Sequence, residues 1–152
     1  TSTSTSAACA SPPGSASIIV VVATDARLLP HQCERLAQRA GLGIARAGGT
    51  GGHTSGDLFI AFAPANRLPP SSGIDEDARA RVTYEVRAAG DVVIDRLFDA
   101  AIESTEEAIV NALVAARDMQ GHGGRYVKAL PHAELVKLLK QYNRFVKPAT
   151  PR

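Results

Sequence analysis

The stretch Ser17-Ile-Ile-Val-Val-Val-Ala-Thr-Asp25 turns a loose run of small residues into six consecutive apolar ones, and its reading decides the fold. Ile18 to Ala23 shows no polar alternation and is dominated by β-branched side chains, the pattern of a central strand buried on both faces. Each such side chain contributes about 1.5–3 kcal/mol when fully buried, so this run anchors the sheet. Ser17 sets a hydroxyl at the entrance of that strand. On pattern alone it is either the strand's first residue or a nucleophile held still by it. A serine hydroxyl is weakly nucleophilic until a base activates it, and no histidine stands as an obvious base. The α-amine of Ser17 would serve, because an amine of pKa about 7.7–8.0 accepts a proton at working pH. That amine exists only if the preceding peptide bond is cut.

Upstream, residues 1–16 (TSTSTSAACASPPGSA) are too small and too rich in turn residues to bury enough area to offset ordering, which predicts a linker or flexible tail. The absence of an initiating methionine suggests processing, a fragment or the cut end of an inter-subunit linker. Downstream, Thr24-Asp25 closes the strand and Pro30 opens a helix, with Leu36, Ala37, Ala40, Ile44 and Ala45 at helical spacing and an end before Gly48-Gly49. Gly41 and Gly43 weaken this helix but let it pack closely. The loop from Gly48 to Asp57 has neither GxxxxGK[ST] nor a GxGxxG opening a helix, so its glycines suit close approach to a backbone or substrate better than a nucleotide. Leu58 to Phe62 reads as a second strand, and residues 67–77 as a surface connection.

Ala78 to Val86 has the period-two pattern of an edge strand, with Arg79 and Arg81 on a solvated face. Gly90-Asp91 starts a helix with Val92, Val93, Leu97, Ala100 and Ala101 inward. Ser104 and Glu107 fit a capping box, which predicts a separate helix carrying Ala108, Ile109, Ala112, Leu113 and Ala116 and stopping at Gly121. Two tandem helices after the strands predict a helical layer on one sheet face. Arg125 to Leu130 reads as extended, and Pro131 opens a last helix with Leu135, Leu138 and Leu139 as its stripe and His132 exposed in its first turn.

Composition narrows the function. The chain has 152 residues, 45% hydrophobic and 21% charged, enough for one globular domain with a real core. Net charge is only +2 and the basic residues are dispersed, so neither nucleic acid nor a membrane surface is implied as a partner. Two cysteines, Cys9 and Cys33, form no disulfide framework and lack metal-ligand spacing, which points to a reducing, cytoplasmic setting, with the periplasm as the alternative. No apolar run is long enough for a membrane span.

Four blocks now carry a resemblance: SIIVVVATDARLLPHQCERLAQRAGLGIAR from Ser17, SGDLFIAFAPANR from Ser55, EEAIVNALVAARDM from Glu106 and RYVKALPHAELVKLLKQY from Arg125. In this order they resemble the C-terminal β-subunit of the self-processing L-aminopeptidase/D-esterase and β-peptidyl aminopeptidase family. The resemblance implies an α+β fold, a DOM-type αββα sandwich similar to N-terminal-nucleophile hydrolases, of which residues 17–144 form the β-subunit portion and 145–152 a tail. It implies a hydrolase releasing N-terminal residues from small peptides, amides or esters through an acyl-enzyme, without metal or organic cofactor. It also implies an α-subunit from the same precursor and oligomers of αβ pairs.

By position, the family's nucleophilic serine falls on Ser17, and its orienting serine and carboxylate on Ser55 and Asp57. Asp57 stands where some relatives carry glutamate, and Ala16 where relatives usually carry glycine or asparagine. Thr1 is the rival N-terminal nucleophile, and Ser15 would require the strand to begin two residues earlier. The alternative to an enzyme is a non-catalytic or truncated relative acting as a structural or interaction domain.

Overall fold

The computed structural model describes residues 17–68, 75–79 and 83–146, and the statements below concern those residues. The expected tail before Ser17, with Thr1 and Ser15, lies outside them, as do Arg81 and most of the expected surface connection. In chain order the elements are β1 (Ile19–Ala23), α1 (Pro30–Arg46), β2 (Leu58–Phe62), α2 (Glu76–Arg79), α3 (Asp91–Ala115), β3 (Met119–Gln120), β4 (Tyr126–Val127) and α4 (His132–Gln141). A single 3₁₀ turn, His122–Gly124, separates β3 from β4. Among the described residues no helix is long and apolar enough to cross a membrane.

The described residues from Ser17 to Ala108 belong to one compact unit. Here β1 and β2 pair in parallel, Ile19 opposite Leu58 through Ala23 opposite Phe62, with α1 as the crossover. Pro30 sits in the first turn of α1, where a missing N–H costs nothing. Gln32 Oε1 accepts the Leu29 N–H at 3.0 Å while its Nε2 donates to the Ala89 carbonyl at 2.8 Å, so one buried amide ties the helix start to the approach to α3. At the other end Gly48 adopts φ 98°, its N–H reaching the Ala45 carbonyl and the Gly49 N–H reaching the Ile44 carbonyl, a Schellman stop that needs the left-handed conformation glycine tolerates.

Leu28, Leu36, Ile94, Phe98 and Ala101 make the core, with Val22, Ala61, Ala63, Cys33 and Leu97 packed against it. The approach of α1 to α3 is close enough that a Cβ on Gly43 would stand 2.5 Å from the Ile102 carbonyl oxygen. Arg35 and Arg39 lay their guanidinium groups over the Phe98 ring at 5.1 and 4.2 Å.

Four expectations need correction. First, β1 is covered on one face only: Val20 and Val22 are half-buried on one side, while Ile19 and Val21 are exposed on the other, as are Leu58, Ile60 and Phe62 of β2. An unbroken apolar run signals two packed neighbours, and this chain supplies one of them. Second, the helix does not break at Ser104, because α3 runs continuously from Asp91 to Ala115. Ser104 Oγ donates back to the Ala101 carbonyl at 3.3 Å, and Thr105 Oγ1 to the same carbonyl at 2.7 Å. Hydroxyls satisfied by the preceding turn leave no reason for a cap.

Third, the inward face of α3 is Ile94, Phe98, Ala101, Ile102 and Thr105, and Val92 and Val93 are exposed. Fourth, the edge strand expected over Ala78 to Val86 is absent from its described part. Residues 76–79 form a helical turn and residues 83–90 have no regular structure. Asn66 instead orders that segment, its Oδ1 accepting the Arg87 N–H at 3.1 Å and its Nδ2 donating to the Arg87 and Leu28 carbonyls.

Residues from Ile109 belong to a second unit. It holds the end of α3, an antiparallel pair with Met119 opposite Val127 and Gln120 opposite Tyr126, and α4, opened by Pro131 as expected. His132 is exposed, with Nε2 2.9 Å from the Val114 carbonyl oxygen. Asp118 receives the Tyr126 hydroxyl and, at 2.8 Å, the Ala129 N–H, and the hydroxyl bond chiefly holds its carboxyl below the ordinary value while raising that of the phenol.

Candidate functional site

The parallel register decides where the hydroxyls meet. Because Ile19 pairs with Leu58, the residues just before each strand, Ser17-Ile18 and Ser55-Gly56-Asp57, lie side by side at one end of the sheet. Among the described residues the last backbone rung is the Leu58 N–H to the Ile18 carbonyl, 3.0 Å. Side chains bond beside it. Asp57 Oδ1 accepts the Ile18 N–H at 3.2 Å and the Ser55 hydroxyl at 2.6 Å, while Ser17 Oγ accepts the Gly56 N–H at 2.9 Å.

The 2.6 Å bond has the length of a charge-assisted contact between a hydroxyl and a carboxylate. Asp57 and Ser55 are half-buried, and Ser17 is exposed at the strand entrance. The Ser55 N–H is itself held by the Gly52 carbonyl at 2.8 Å, so the glycine loop turns back on itself and presents Ser55 and Asp57 from a fixed turn. Chemically the arrangement offers an accessible hydroxyl whose oxygen is fixed by a backbone donor. A carboxylate sits one residue from the backbone nitrogen of that serine. Among the described residues no histidine hydrogen-bonds to Ser17 or Asp57.

All three residues singled out in the sequence, Ser17, Ser55 and Asp57, are thus brought together across 38 to 40 positions of chain. The participant that sequence reasoning passed over is Gly56, whose N–H touches the Ser17 oxygen. It could have been found from the strand starts alone: two parallel strands entered in register bring their preceding residues into contact.

A serine at the entrance of the first strand thus lies beside a serine–carboxylate pair at the entrance of the second, on a sheet against which α1 packs. The chain belongs to peptidase family S58, whose model matches residues 2–127. It is 46% identical over 132 residues to the beta-peptidyl aminopeptidase BapA of Sphingosinicella microcystinivorans, a match covering 87% of this chain and 32% of that protein.

Among solved structures it is similar to the L-aminopeptidase D-Ala-esterase/amidase from Ochrobactrum anthropi, described as a prototype of the serine aminopeptidases and a variant of the Ntn hydrolase fold. The TM-score is 0.73 at 43% identity, over 89% of this chain and 36% of that one. A Burkholderia sp. beta-aminopeptidase matches with TM-score 0.71 at 46% identity, over 86% and 36% respectively. The family and the α+β fold expected from the four sequence blocks are therefore those found. The chain spans 32% and 29% of the length of the two curated relatives it matches.

Proposed function

We propose that this chain carries the nucleophile of a serine aminopeptidase or amidase, as the β-subunit portion of a larger self-processed protein. The observation that carries the reading is the clamp at the strand entrance, in which Gly56 holds the Ser17 hydroxyl and Asp57 holds the neighbouring Ile18 N–H and the Ser55 hydroxyl.

Cleavage of the bond before Ser17 frees its α-amine, and that amine takes the hydroxyl proton as Ser17 Oγ attacks the carbonyl of a substrate's N-terminal residue. Collapse of the tetrahedral intermediate passes the proton to the leaving amine or alcohol and leaves an acyl ester on Ser17. Water, deprotonated by the same amine, then releases the acid. Ser55 and Asp57 orient the amine and offset the positive charge it gains. Substrates are small peptides, amides or esters.

A partner chain from the same precursor, the α-subunit, completes the pocket. Two findings support it: this chain's share of its relatives' length, and the bare apolar face of β1 and β2. An exposed apolar patch of this kind marks an interaction surface. Together the pairs would assemble into oligomers.

Mass spectrometry of the natural protein tests the processing: a free amine at Ser17 and a co-purifying second chain are expected. Hydrolysis of an amino-acid p-nitroanilide should fall at least ~10³-fold in Ser17→Ala. An intact peptide before Ser17 with no second chain, or unchanged turnover in Ser17→Ala, would leave a structural or interaction domain as the better account.

A further inference from the structure

We infer that Gly56 is a positioning residue for the nucleophile: its N–H fixes the Ser17 oxygen, and its missing side chain keeps the space beside that oxygen open. The inference rests on the reading of Ser17 as the nucleophile.

Ladder geometry shows why the contact is not a routine sheet bond. Parallel rungs alternate, so continuing the Leu58-to-Ile18 rung backwards would send the Ile18 N–H to the Gly56 carbonyl and the Gly56 N–H to the carbonyl of residue 16. Both donors have a side-chain oxygen as partner. The Ile18 N–H bonds Asp57 Oδ1 and the Gly56 N–H bonds Ser17 Oγ at 2.9 Å. Among the described residues each of these two donors is met by a side-chain oxygen, and one of those oxygens is the nucleophile. A bond that Ser17 Oγ accepts orients one lone pair toward Gly56 and turns the hydroxyl proton away from it. Backbone N–H groups are far stiffer than side chains, so this donor fixes the oxygen without entropy to lose on substrate binding.

The residue type points the same way. Gly48 and Gly51 have φ of 98° and 60°, conformations that other residues adopt only with strain. Gly56 is not among the positive-φ residues, so its backbone would accept a side chain. Among the described residues, the one heavy atom that a Cβ at Gly56 would meet within 4 Å is Ser17 Oγ, at 3.4 Å, an ordinary van der Waals contact. What glycine provides at this position is room beside the nucleophile.

The test is Gly56→Ala in the full-length protein, with its complementary chain, measured against a p-nitroanilide substrate. Expected are a kcat lowered about 10- to 100-fold with KM within about twofold, the signature of misplacement at the reacting atom rather than lost binding. The rate at which a small sulfonyl fluoride labels Ser17, followed by intact mass, should fall by a similar factor. The melting temperature should stay within about 3 °C of wild type.

Wild-type kcat and labelling in Gly56→Ala would overturn the inference and leave the aminopeptidase reading intact. A Gly56→Ala protein that fails to fold, or that loses kcat only along with a large fall in melting temperature, would also overturn it, because the glycine would then serve the fold. If the wild-type protein neither turns over the substrate nor is labelled at Ser17, the nucleophile reading falls first and this inference with it.

Discussion

Two helices in this chain begin at prolines and carry apolar stripes that include leucine, and they meet opposite fates. On α1, in the unit up to Ala108, Leu36 is 2% exposed and lies in the core. On α4, in the unit from Ile109, Leu138 is 50% exposed and no described residue of that unit is buried. The same contrast divides the two faces of the β1–β2 sheet. Amphipathic pattern is enough to make a helix or a strand, because it needs only local spacing. Burial needs a second surface, and this chain supplies one for α1 and for one face of the sheet.

The contrast can be broken most directly by truncating both leucines. Leu36→Ala should destabilise the chain by about 2–5 kcal/mol, and Leu138→Ala by less than about 0.5 kcal/mol, in urea unfolding followed by circular dichroism. Equal losses would mean that α4 is packed as α1 is. A smaller effect is expected at the α1–α3 approach. Gly43→Ala puts a methyl into the Ile102 carbonyl and the Thr105 side chain, and overpacking of this kind costs about 1–3 kcal/mol, offset by the roughly 1 kcal/mol that alanine adds to a helix interior. A gain in urea midpoint would show that α3 is free to withdraw.

The smallest effect belongs to the unit from Ile109, where an exposed carboxylate takes the place of a core. The Tyr126 hydroxyl and then the Ala129 N–H hold the Asp118 carboxyl below its ordinary value of 3.8. A depressed carboxyl stabilises the fold fully above its unfolded pKa and loses that contribution as pH falls through the folded one. Exchange protection of the Ala129 amide should therefore persist at neutral pH and vanish in acid below about pH 4, as followed by NMR. In Asp118→Asn the protection should no longer change with pH over that range.

Much of the local structure was legible in the residues. Pro30 and Gly48 bracket α1 because the one lacks a donor that the first turn cannot use and the other tolerates the left-handed stop. Leu58 to Phe62 was readable to the residue. What misled was context. Ser104 and Glu107 have the spacing of a cap, yet Ser104 and Thr105 return their hydroxyls to Ala101 and the helix passes through. The alternation over Ala78 to Val86 has no neighbouring strand to pair with among the described residues, and Asn66 holds its later part as a loop.

By itself the sequence determined that a hydroxyl would stand at the door of an apolar strand, and that a serine and a carboxylate would stand at the door of another. Only the tertiary structure decided that the two doors are the same one. The crossover through α1 sets β1 and β2 parallel with Ile19 opposite Leu58, and that register, a property of backbone pairing rather than of any single residue, brings Ser17 onto Gly56 and Ile18 onto Asp57.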